Sequence, residues 1–148
     1  MNTIIYSTLT NNMFLETQYK SIKKFFQTDF EFIVFDDSRE TKHNISYNKI
    51  QTQNIKNTCK KLDIKYIRIP PNAHYNRNEI LPEEYVIKDG VAAKDHPVTR
   101  CALAVQYGFN YIIRNYTNSY LFLIDSDMFF INYFNINKHM EKYNIYGI

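Results

Sequence analysis

Two apolar runs in this chain stop abruptly on acids: residues 30–35 read FEFIVF before Asp36, Asp37 and Ser38, and residues 120–124 read YLFLI before Asp125, Ser126 and Asp127. Runs of aromatic and branched side chains without polar alternation mark strands buried on both faces, as in a parallel sheet covered by helices. Residues 3–7 (TIIYS) form a similar run that leads into the polar residues 8–12, and residues 65–69 (KYIRI) form another that is halted by Pro70 and Pro71.

Helical periodicity fills the intervals. Over residues 13–26 the apolar positions Leu15, Tyr19, Ile22, Phe25 and Phe26 make one stripe, with Lys20, Lys23 and Lys24 on the wet face. Residues 50–62 repeat the pattern with Ile55, Cys59 and Leu62. Residues 97–116 do so with Val98, Ala102, Val105, Phe109, Ile112 and Ile113, after Asp95, His96 and a proline suited to a first turn. Gly108 argues against one unbroken helix there. Strands alternating with helices predict an α/β fold, a mainly parallel sheet with helices on both faces. At 148 residues, without repeats or a linker, the chain is expected to be a single domain. Residues 70–91 have no period and are a candidate flap. Residues 143–148 (YNIYGI) read as the start of another strand, so the domain is expected to be truncated at its C-terminus.

Composition excludes several classes of function. The net charge of +3, from 18 basic and 15 acidic residues, gives no footprint for a polyanion. Lys56, Lys60, Lys61 and Lys65 fit the wet face and exit of the second helix, so no nucleic-acid partner is expected. Cys59 and Cys101 lack the spacing of a zinc site or a disulfide framework and are expected to be free, buried and reduced. With neither an export signal nor a run of about 18 apolar residues, the expectation is a cytoplasmic protein without a membrane segment.

In open parallel sheets ligands bind beyond the carboxyl ends of the strands. Three such ends release polar residues here: Ser7 and Thr8 with their following loop, Asp36-Asp37-Ser38, and Asp125-Ser126-Asp127. The only glycines are Gly90, Gly108 and Gly147, so there is neither a P-loop nor a GxGxxG turn to cradle phosphate. Two carboxylates two residues apart can instead hold a hard cation, Mn²⁺ or Mg²⁺, whose remaining ligands are water and phosphate oxygens. An Asp-x-Asp triplet occurs by chance in roughly one chain in two of this length. Its place directly after a buried strand is what gives it weight, against the plain alternative of a capped turn.

The segments TIIYSTLTNN, FEFIVFDDS and YLFLIDSDMF together resemble the Rossmann-like nucleotide-binding core of GT-A glycosyltransferases with its DxD motif. The resemblance implies a metal-dependent transferase that takes a nucleotide-sugar donor, a UDP-sugar before a GDP-sugar, and passes the sugar to an acceptor. It implies base and ribose contacts from Ser7, Thr8, Asp36 and Asp37, metal ligation by Asp125 and Asp127 with Asp125 also beside the nucleotide, and a diphosphate contact from Arg100. Arg100 stands farther ahead of Asp125 than in the commonest relatives. No general base is identified, and His96 is better explained as a capping or surface residue. The alternatives are a non-catalytic nucleotide-sugar-binding or interaction module and another metal-dependent α/β hydrolase, although in phosphatases with an aspartate nucleophile the acidic motif follows the first strand.

Overall fold

The computed structural model describes residues 2–39, 48–70, 86–87, 91–92 and 97–140. The described elements are β1 (Asn2–Leu9), α1 (Leu15–Phe25), β2 (Phe30–Asp36), α2 (Lys49–Leu62), β3 (Lys65–Arg68), β4 (Val86–Ile87), β5 (Val91–Ala92), α3 (Pro97–Asn115), β6 (Ser119–Leu123) and α4 (Ile136–Met140). The expected flap is described only at Pro70 and where β4 pairs antiparallel with β5. The rest of it, His96 and the expected strand at residues 143–148 lie outside the described residues.

Four strands form one parallel sheet in the order β3-β2-β1-β6. Successive residues of a strand face opposite sides, and both sides of this sheet are apolar. Ile5 and Leu9 of β1 and Phe32 and Val34 of β2 pack with Leu15 and Ile22 of α1 and with Ile55 and Cys59 of α2. Ile4, Tyr6, Ile33 and Phe35 face the other way, onto Ala104 and Ile112 of α3. Helices thus cover both faces, which explains why the strand runs show no polar alternation.

Local chemistry sets the helix ends. The Asn48 side chain accepts from the Gln51 backbone N–H at 3.0 Å and caps α2. Asp63 then ends that helix in the left-handed conformation, with φ 55°. After β6 the chain runs beside α1: the Phe134 N–H donates to the Phe25 carbonyl and the Gln27 N–H to the Phe134 carbonyl, both at 2.9 Å. There Phe26, Phe122, Phe130 and Phe134 form a cluster with ring centres 5.6–6.1 Å apart.

Three expectations are corrected. The third helix is unbroken at Gly108, and its buried stripe is Ala104, Gly108 and Ile112 rather than a stripe through Ala102, Phe109 and Ile113; Phe109 and Ile113 are exposed. Gly108 is where this helix touches the sheet, since a Cβ there would lie 2.9 Å from Tyr6 Cε2 and 3.1 Å from Phe35 Cδ2. Only a hydrogen fits between the helix and those rings. The same rotation of the buried face leaves Cys101 exposed, while Cys59 is buried as expected. No helix among the described residues is long and apolar enough to cross a membrane.

Candidate functional site

The chain builds outward from β1 through β2 to β3 and then returns to place β6 on the other side of β1. The reversal of strand order between β1 and β6 is a topological switch point, and in open α/β sheets ligands bind beyond the carboxyl ends of the strands at such a point. The Ile124 N–H donates to the Tyr6 carbonyl at 3.0 Å and continues the β1–β6 pairing to the residue before Asp125. Asp125 and Asp127 follow as exposed residues of a turn that the Met128 N–H closes onto the Asp125 carbonyl at 3.0 Å.

The other acidic pair is built differently. Asp36 is fully buried. Its carboxylate accepts from the Tyr66 hydroxyl at 2.8 Å, from the Ser38 N–H at 2.8 Å and from Arg68 Nη1 at 3.4 Å. Arg68 also donates to the Asp36 and Ser38 carbonyls, the latter at 2.8 Å. Asp37 ties its N–H to the Leu9 carbonyl at 2.7 Å, and its Oδ1 accepts from Arg39 Nη2 at 2.7 Å and Nε at 3.2 Å, both side chains being nearly enclosed. Burying a carboxylate is costly unless it is paired and hydrogen-bonded, and both acids meet that condition with neighbouring guanidinium groups.

Ser7 is also fully buried, and among the described residues its hydroxyl has no hydrogen-bond partner; Thr8, on the opposite face of β1, is half-buried. Arg100 lies in the first turns of α3, beside Cys101. The Cys101 thiol is pushed up by partial burial and then by the carboxylate charges of Asp125 and Asp37. The start of α3, the end of β2 and the acidic turn after β6 therefore lie near enough for their charges to interact. Comparison with protein-family models, curated proteins and solved structures found no match.

Among the described residues no group of three or more His, Cys, Asp or Glu side chains is arranged to hold a metal ion. Asp125 and Asp127 offer two exposed carboxylates on one turn, a donor set suited to a hard cation that keeps water and phosphate in its other positions. A groove of about 740 Å³ opens instead at the amino ends of β2 and β3, lined by Lys23, Asp29, Glu31, Asp63 and Lys65. Its charges are mixed and it lies at the wrong end of the strands for the switch point, so the acidic turn is the better candidate.

Sequence reading missed Arg39, Tyr66, Arg68 and Gln18. An acid ending a buried strand signals that some cation must come near it, but the chain alone does not say which. Gln18 left no trace beyond a polar residue on the apolar side of α1.

Proposed function

We propose that this chain is the nucleotide-sugar-binding part of a metal-dependent glycosyltransferase of the GT-A type, with Asp125 and Asp127 holding Mn²⁺ or Mg²⁺ against the diphosphate of a UDP-sugar. The observation that carries this reading is an exposed aspartate pair leaving β6 where the strand order reverses. Without a glycine-rich phosphate loop, a cation must neutralise the diphosphate. Asp125 and Asp127 would hold that cation, which when bound would supply Lewis-acid stabilisation of the departing nucleoside diphosphate, on the order of several kcal/mol.

The chain's own residues then divide the work. Asp125 and Asp127 bind through exposed oxygens, and Arg100 adds positive charge from the start of α3. Thr8 is the reachable member of the base-and-ribose set, whereas the Asp37 carboxylate is enclosed against Arg39 and holds the end of β2 in place. Asp36 and Ser7, both fully buried, shape the floor of the proposed site.

Calorimetric titration with UDP, UDP-glucose and GDP-mannose, with and without Mn²⁺, tests the reading on the native chain and on an Asp125→Ala/Asp127→Ala variant. Uridine nucleotides are expected to bind only with Mn²⁺ and to lose binding in the double variant. Metal-independent binding, or none to either nucleotide, overturns the proposal. Binding without sugar transfer to any acceptor identifies a non-catalytic module.

A further inference from the structure

We propose that Gln18 is the positioning residue of the acidic turn, its side-chain amide clamping the backbone from which Asp125 and Asp127 project. Gln18 lies on α1 between the buried Leu15 and Ile22 and is itself fully buried. Its Nε2 donates to the Asp125 carbonyl at 2.5 Å and to the Met128 carbonyl at 3.1 Å. Both partners are acceptors, so the amide must face them with its NH₂ group, and its two hydrogens bridge the first and last residues of the turn. One helical turn on, the Ser21 hydroxyl donates to the Gln18 carbonyl at 2.8 Å and accepts from the Phe130 N–H at 3.2 Å. Helix α1 thus holds the chain at residues 125, 128 and 130.

A leucine or methionine at position 18 would suit the apolar stripe better, because a buried amide must be satisfied to be tolerated. Among the described residues Gln18 Oε1 has no hydrogen-bond partner, so this glutamine is not there for its own satisfaction. What it does is fix two carbonyls that sit more than a hundred residues away in sequence. Groups that orient ligating side chains typically change metal affinity by about 10–100-fold when removed. The metal part of this inference rests on the function proposed above; the clamp itself does not.

The test compares Gln18→Met, which keeps length but has no donor, and Ser21→Ala with the native chain. Amide hydrogen exchange is followed across residues 125–130 and across β1 and β2, and Mn²⁺ with UDP is titrated in parallel. Exchange at the Met128 and Phe130 amides should quicken about tenfold or more while the strands keep native protection, and affinity for Mn²⁺ with UDP should fall about 10–100-fold. Native exchange in the turn of both variants overturns the clamp. Protection lost equally throughout the sheet also overturns it, because Gln18 would then serve packing alone. If Gln18→Met does not fold, Ser21→Ala decides by the same criteria. Failure of the native chain to bind Mn²⁺ with UDP would sink the metal reading, and the exchange comparison would still decide the clamp.

Discussion

Asp36 accepts from a tyrosine hydroxyl, an arginine and a backbone N–H while fully buried, whereas Asp125 is exposed just after β6, two strands away. Their substitutions should therefore separate cleanly. Asp36→Asn removes the charge facing Arg68 and turns an amide N–H toward groups that are themselves donors. It is expected to cost about 2–4 kcal/mol, at the lower side of a broken buried pair because Arg68 is partly exposed. Asp125→Asn should stay within about 0.5 kcal/mol of the native chain. Urea denaturation of both variants checks the contrast, and equal losses would mean that Asp36 is not the structural member. In sequence the two acidic pairs look alike, each following an apolar run. The difference comes from Tyr66 and Arg68, which β3 brings alongside Asp36 from 30 and 32 residues away, and no local pattern announces such a partner.

At the scale of elements, the apolar runs and the halting effect of acids and prolines located the four strands of the parallel sheet to within one or two residues, because burial on both faces leaves few places for polar side chains. The face of α3 was less legible. A search for apolar periodicity passes over glycine, yet Gly108 is the position where the helix lies against Tyr6 and Phe35. Gly108→Ala tests that contact. The change raises intrinsic helix propensity by about 1 kcal/mol, but its methyl group would meet atoms of two enclosed rings at 2.9–3.1 Å. Overpacking of this kind typically costs about 1–3 kcal/mol. The rings have little room to yield, Phe35 being fully buried and Tyr6 3% exposed. The expected outcome is a net loss of stability with the helical circular dichroism unchanged; a gain would show that α3 can lift from the sheet without cost.

Across the whole molecule, the thiol and phenol groups whose titration is displaced all move the same way. Burial pushes the Cys59 thiol up to about 12, helped by the negative charge of Asp36, and pushes Tyr6 up to about 12. Tyr66 is raised by burial and by its hydrogen bond to Asp36, and Tyr116 by burial and by its bond to Glu31. A raised acid keeps its proton in the folded chain after the unfolded chain has lost it. The stability this represents is complete below the unfolded value and is lost as pH climbs toward the folded one. Cys59 opens that window near pH 9, its ordinary value, and the tyrosines join from about pH 10. The unfolding free energy should therefore fall between pH 9 and 12, with Cys59 contributing about 1.4 kcal/mol per pH unit where it is protonated only in the folded state. Between pH 9 and 10 the tyrosines are still largely protonated in both states, so the two raised thiols carry the slope and Cys59→Val should reduce it, leaving the part that belongs to Cys101. Urea midpoints measured at half-unit steps would show it, and an unchanged slope would mean that Cys59 is not the group responsible. Near neutral pH every one of these groups is protonated in both states, so the proposed Mn²⁺ titration, run there, is free of this alkaline loss of stability.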